Sequence, residues 1–181
     1  MNLEDLKTKF FNIPPEFCER NYQDIECLGF IGYSKSFETW DLIKDLVNWK
    51  GKTVVDIGCC RGYFCFKAEE LGAKCIGLDS CPPALETAND IKDVTGSKVV
   101  FKVWTDTGVI PDCDITLCFS VLHHLKDKEA FIAKIHSELV IFKVNLNEVD
   151  LVKKYFDVLI SKDTNMIQIP RKILLAKRKH E

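Results

Sequence analysis

A β-branched run that ends in a carboxylate and breaks at once into glycines confines this chain more than any other feature: TVVDIGCCRGYF, residues 53–64. Residues 53–57 have the short apolar, β-rich character of a buried strand, and Gly58 and Gly62 mark a tight turn that opens a helix. A strand, a glycine loop and a helix N-terminus in that order leave backbone N–H groups unpaired, and glycine lets a ligand come close to the main chain because no Cβ stands in the way. About one βα unit downstream, KCIGLD ends a second strand on Asp79, where a carboxylate can accept both hydroxyls of a ribose. The pairing implies a nucleoside-containing ligand.

The loop chemistry narrows the ligand further. A dinucleotide loop needs GxGxxG, but Gly58 is followed by Cys59, Cys60, Arg61 and Gly62. A Walker loop needs GxxxxGK[ST], and Gly62 is followed by Tyr63 and Phe64. Asp56, just before the turn, would repel a pyrophosphate and suit a ligand with positive charge. S-adenosylmethionine has that character, with an ammonium, a sulfonium and no phosphate. Taken singly, Asp56 and Asp79 also fit a plainer role as caps of the following turn and helix.

These residues resemble a known family. DIGCCRGYF resembles the DxGxGxG motif of class I S-adenosylmethionine-dependent methyltransferases, IGLD resembles their second acidic motif, and SVLHHLKD resembles the segment after their fourth strand. The resemblance covers residues 40–144, with Cys60 where the family has its central glycine. The run YSKSFETWDLIKDL before KGKTVVDIGCCRGYF is similar to enzymes related to tRNA wobble-uridine carboxymethyltransferases. Open α/β sheets bind ligands at the carboxyl ends of their strands, which gives each strand end an expected role. Asp56, Gly58, Cys60 and Gly62 are expected at the methionine end, Asp79 at the ribose and Ser80 beside the adenine, with Tyr63 and Phe64 also expected among the cofactor-binding residues. Asp106 resembles the acidic residue that family members use on the adenine amino group, and Ser120 closes the fourth strand.

From Lys50 onward apolar strand patterns alternate with helical ones, which predicts an α/β fold, a doubly wound and mostly parallel sheet. Strands are expected over residues 53–57, 74–78, 98–103, 113–119, 139–144, 156–161 and 171–177, and helices over 62–71, 82–93, 127–137 and 147–155. The last connection is too short for a helix, so the seventh strand should form an antiparallel hairpin. The resemblance implies the same seven-stranded arrangement. Upstream, LEDLKTKFF and EFCERNYQDIECL read as helices split by Pro14 and Pro15, and Ser36 reads as the N-cap of a third. In the family such N-terminal helices cover the cofactor mouth. That makes Tyr33, Lys35 and Trp40 candidates for facing the acceptor, against ordinary packing roles.

With 181 residues, 46% hydrophobic and 29% charged, the chain is expected to form one domain, a helical cap over 1–49 and a Rossmann-like core over 50–181. A net charge of −2 gives no global drive toward nucleic acid or anionic membrane. No apolar run approaches the roughly 18 residues that span a bilayer, and acids appear early in MNLEDLKTKFF, so a cytoplasmic protein is expected. The nine cysteines contain no CxxC, which predicts buried thiols and no metal site.

The chemistry is less legible than the cofactor. Methyl transfer from a sulfonium has an activated leaving group, so alignment can supply about 7 to 11 kcal/mol of the barrier. His123 and His124, after the fourth strand, are candidates for deprotonating an acceptor, against a packing role for one and solvent for the other. Neither an NPPY-type tetrapeptide nor a PC dipeptide is present. The acceptor is therefore expected to be a small molecule or an RNA nucleoside, with DNA and membrane not expected and a protein partner left open. The basic run Lys177, Arg178 and Lys179 suits either phosphate contact or a solvated strand end. A cofactor-binding module or partner subunit without transfer activity is the alternative, because Cys60 replaces a glycine.

Overall fold

The computed structural model describes residues 1–14, 20–164 and 170–179. Each apolar run read as a strand forms one: β1 (Thr53–Ile57), β2 (Lys74–Asp79), β3 (Val100–Val103), β4 (Ile115–Phe119), β5 (Leu139–Asn145), β6 (Phe156–Asp163) and β7 (Arg171–Arg178). They build one seven-stranded sheet in the order β3-β2-β1-β4-β5-β7-β6. β7 runs antiparallel to both β5 and β6, while the pairs among β1 to β5 are parallel. A parallel pair needs a long crossover, and the segment between β6 and β7 is too short to provide one. Residues 165–169 of that segment lie outside the described residues.

Strand alternation sorts the side chains into two layers. Val54, Leu117, Ile141 and Ile173 point to one face, where they meet Trp40 and Ile43 of α2 (Ser36–Ile43) and Phe64 of α3 (Tyr63–Glu70). Val55, Ile57, Phe142 and Leu174 point to the other, against Phe131 and Ile132 of α5 (Lys128–Ala133) and Val152 of α6 (Val149–Tyr155). A third cluster, Leu6, Phe10, Ile25 and Ile91, fixes α1 (Leu3–Asn12) to α4 (Pro82–Thr95). Lys9 adds contacts of 2.7 Å to Glu86 and 2.6 Å to Asp90. α4 opens on Pro82, whose missing N–H is no loss at that position, and stops at Gly96 with φ +72°.

The N-terminal region departs from the sequence reading. Pro15 and residues 16–19 of the expected second helix lie outside the described residues. From Arg20 the chain instead bends into a 3₁₀ turn at Glu26–Leu28, and Ile25 bridges to Phe30. Ser36 starts α2 without capping it, because its hydroxyl lies 2.9 Å from that of Ser34. The cap comes from a distance. Buried Asp24 accepts from the Phe37 N–H at 2.9 Å and from the Gly32 N–H at 2.7 Å. α1 lies on α4, and it is the following segment, residues 22–39, that reaches the carboxyl ends of the strands. α5 is shorter than expected, since Ile135 turns into the core and the Ser137 hydroxyl bonds Thr116 at 2.8 Å. No described helix is long and apolar enough to cross a membrane.

Candidate active site

The loop after β1 takes three left-handed backbone positions, Gly58 (φ +74°), Cys60 (φ +52°) and Gly62 (φ +83°). Glycine reaches that region without strain, whereas a non-glycine residue there costs about 1 kcal/mol or more. Cys60 is held in place by its N–H, which donates to Asp79 Oδ2 at 2.7 Å. The other oxygen of Asp79 accepts from the Cys81 N–H at 2.9 Å. Asp79 thus ties the glycine loop to the start of α4, with its carboxylate half-buried between them. A Cβ on Gly62 would fall 2.5 Å from the Phe101 ring, and one on Gly58 would fall 2.6 Å from Val121. Both glycines are therefore required by close packing as well as by φ.

Asp56 goes elsewhere. Alternation along β1 puts it on the same face as Val54, under α3, where it is 1% exposed. Burial raises its pKa to about 8, and the Cys65 thiol lies 3.7 Å from its carboxyl. Cys59 and Cys65 are pushed well above the usual thiol range by burial, so they behave as small apolar residues. Among the described residues no group of three or more His, Cys, Asp or Glu side chains could hold a metal.

Gln23 closes the loop from above. Its amide donates to the Cys59 carbonyl at 3.3 Å, while its oxygen accepts from the N–H groups of Arg61 at 2.9 Å and Tyr63 at 3.3 Å. Next to it lies a pocket bounded by Tyr22, Ser34, Ser36 and Thr39 of the covering segment, Gly58 and Phe64 of the loop and α3, Phe119 and Ser120 at the end of β4, and Lys143 of β5.

Comparison with known proteins gives this arrangement its place. Residues 55–141 match a family model described as a methyltransferase domain. The fold matches magnesium protoporphyrin IX methyltransferase from Synechocystis PCC 6803 with bound S-adenosylmethionine, at a TM-score of 0.72 and 16% identity over 99% of this chain and 98% of that one. Over residues 55–141 the chain is thus similar to a methyltransferase domain. It is 31% identical over 112 residues to a tRNA U34 carboxymethyltransferase of Campylobacter hominis, matching 58% of this chain and 38% of that protein. For the same enzyme of Nautilia profundicola the identity is 34% over 102 residues, 51% of this chain and 32% of the relative. The chain thus covers well under half the length of these two curated relatives.

The structure brings together some of the expected residues and disperses others. Gly58, Cys60, Gly62, Asp79 and Ser120 meet at the carboxyl ends of β1, β2 and β4. Ser120, itself at φ +60°, accepts a hydrogen bond from Arg171. Tyr63 and Phe64 are buried, the Tyr63 hydroxyl reaching Glu26 at 3.2 Å and the Phe64 ring packing on Phe119 at 4.7 Å. Ser80 and Asp106 are exposed on their loops, and the Asp106 carbonyl accepts from Lys134. Trp40 is 6% exposed and stacks on Trp49 in the core, so its side chain serves packing. Tyr33 is exposed and meets Tyr22 edge-on at 5.3 Å, and Lys35 pairs with Glu38 at 3.1 Å. His123 and His124 face each other at 4.0 Å on the turn after β4, outside the pocket lining. Burial, then His124 and Arg171, lower the pKa of His123.

Two cations of the domain were missed by the sequence reading. Lys143 interrupts the apolar run of β5, and strand alternation aims it, like Ile141, toward α2. Arg171 opens β7 beside Asn145, whose side-chain oxygen accepts from its Nε at 3.1 Å. The detectable signal was a lysine inside an otherwise apolar strand. Arg171 had none, because the strand that carries it is a late, antiparallel insertion beside β5. A larger cleft of about 450 Å³ lies between α3, the end of α4 and the 3₁₀ turn, lined by Glu26, Lys67 and Glu70, which pair with one another. Its lining contains neither Gly58 nor Asp79, so it stands apart from the strand-end chemistry.

Proposed function

We propose that this chain transfers a methyl group from S-adenosylmethionine to a small molecule or to a nucleoside in RNA. The observation that carries the reading is the pocket in which the cofactor loop at Gly58, the β4 end at Ser120 and the covering segment at Thr39 converge. The residues fit the cofactor by their chemistry. Asp79 offers carboxylate oxygens to ribose hydroxyls, the backbone of Gly58, Cys60 and Gly62 faces the methionine end, and the loop's one cation, Arg61, is buried at 1% exposure. Bound there, the cofactor supplies an electrophilic methyl carbon on a positively charged sulfur. Asp56 supports the loop from below, and its buried, largely protonated carboxyl serves packing more than charge recognition. The acceptor enters between the segment around Tyr33 and the turn at His123 and His124, with Tyr22, Ser34 and Thr39 as the near wall.

The relatives' name suggests a tRNA wobble uridine as one acceptor of the RNA class, and a carboxymethyl group as cargo. Arg171, permanently charged and 9% exposed, suits a transferred group that carries a carboxylate. The alternative, a cofactor-binding module in a larger methyltransferase assembly, draws support from Cys60 at φ +52° and from Gln23 already bonded to the loop.

Calorimetry with S-adenosylmethionine and its demethylated product tests the first step. Asp79→Ala should weaken binding about 100-fold, since two hydrogen bonds to a charged group are worth about 3 kcal/mol or more. Binding of NAD in place of the sulfonium compound would refute the cofactor reading. Radiolabel transfer into an extract, sorted into metabolite, RNA and protein, tests the second step, and binding with no transfer to any fraction would favour the module.

A further inference from the structure

Lys143 sits where a positive charge is poorly tolerated. It is 5% exposed, its Nζ donates to the Thr39 hydroxyl at 2.8 Å, and the aromatic rings of Phe64 and Phe119 line the same pocket. The charged groups acting on it are Arg171 from β7 and Glu38 from α2. Arg171 opposes its protonation, and Glu38 is already paired with Lys35 at 3.1 Å. A buried ammonium without a close carboxylate is expensive, and a neighbouring guanidinium that cannot deprotonate makes it more so.

We propose that Lys143 is the base of the transfer reaction, its amine taking the proton of an acceptor hydroxyl or imide held against Ser120 while Arg171 stabilises the anion left behind. The inference rests on the reading of the chain as an active methyltransferase. The acceptor's bond to hydrogen breaks and its proton forms an N–H bond on Lys143. The electron pair left on the acceptor bonds the transferred carbon, and the pair of the carbon–sulfur bond stays with sulfur and cancels its charge. Lys143 then returns its proton to water. Burial and Arg171 lower the Lys143 pKa to about 8, which makes the neutral amine available near physiological pH. Lys143 in the pocket wall and Arg171 bonded to Ser120 of that wall also select the acceptor. A protonated amine is repelled, whereas a phenolic or enolic hydroxyl, a carboxylic acid or an imide, each of which becomes anionic, is favoured.

Competitive acetylation of the full chain with acetic anhydride from pH 6 to 11, read by mass spectrometry of the Lys143 peptide, should give a reactivity midpoint near 8. Exposed Lys7 in the same sample serves as the internal reference for reagent reactivity, and Arg171→Gln should move the Lys143 midpoint upward. Lys143→Arg and Lys143→Met should each lower radiolabel transfer at least about 100-fold, while calorimetric affinity for S-adenosylhomocysteine changes less than about threefold. The wild-type rate should rise with pH and level off near 8. A midpoint above 10 for Lys143, or a Lys143→Met protein that keeps its rate and pH profile, overturns the assignment without touching the cofactor reading. Wild-type protein that binds S-adenosylhomocysteine and transfers nothing to any fraction overturns the enzyme reading, and the base with it.

Discussion

Asp56 shows how one residue's role turns on the direction of its side chain. In the motif it reads as a carboxylate facing a cation, yet the pleat of β1 sends it under α3 beside Cys65. Its folded-state pKa of about 8 lies above the ordinary 3.8, because burial disfavours the charged form. The unfolded chain therefore releases the Asp56 proton first as pH rises, and the folded state loses stability between about pH 4 and 8, then no further. The slope is at most about 1.4 kcal/mol per pH unit. Asp56→Asn, which keeps an oxygen for the Cys65 thiol, should flatten the stability curve across that window. Urea denaturation at pH 5 and pH 8 checks it, and equal pH dependence in the two proteins would contradict the buried, protonated carboxyl. Cys60 is the converse case: the sequence marks it as a departure from glycine, and the Asp79 bond to its N–H is what holds the left-handed backbone.

At the scale of elements, α2 is held by a residue outside itself. Its first turn has no side-chain cap of its own, and Asp24 supplies the acceptor for Phe37 N–H from twelve residues before Ser36. The same carboxylate secures Gly32, where any Cβ would meet the Tyr22 carbonyl at 2.3 Å, so the covering segment and α2 form one unit over the pocket. Asp24→Ala should cost about 2 to 4 kcal/mol, since two buried N–H groups lose a charged partner. It should also raise amide exchange at Gly32 and Phe37 while leaving the sheet protected. Uniform exchange across the molecule, or none, would show that the segment is anchored another way. A local reading placed the cap on Ser36 because serine is a good cap in isolation; a carboxylate brought in by a turn competes with it successfully.

For the whole molecule, the direction of β7 decides which basic residues can serve the site. Arg171 pairs with Asn145 at the carboxyl end of β5, and Lys177 pairs with Leu139 at the other end, six residues or about 20 Å away along the strand. Lys177 pairs with Glu138 at 3.1 Å, Arg178 donates to the carbonyls of Ile132 and Ile135, and Lys179 donates to the Lys153 carbonyl. Replacing Lys177 and Lys179 together by Gln should leave cofactor affinity and transfer within about twofold of wild type, measured by calorimetry and radiolabel. A large loss of transfer would mean that the acceptor reaches the far end of the sheet. Much of this organisation could be read from residue order. Glycine spacing, the carboxylates of β1 and β2 and the alternation of apolar runs are local patterns that backbone sterics and burial enforce wherever they occur, and they specify the seven strands, the glycine loop after β1 and the place of Asp79 at the end of β2. Lys143 is marked only as a lysine inside an apolar strand, and Arg171, Gln23 and Asp24 carry no local mark at all. Their roles arise because β5 and β7 pair antiparallel and a distant segment folds back over the strand ends, contacts that depend on which surfaces of the chain meet.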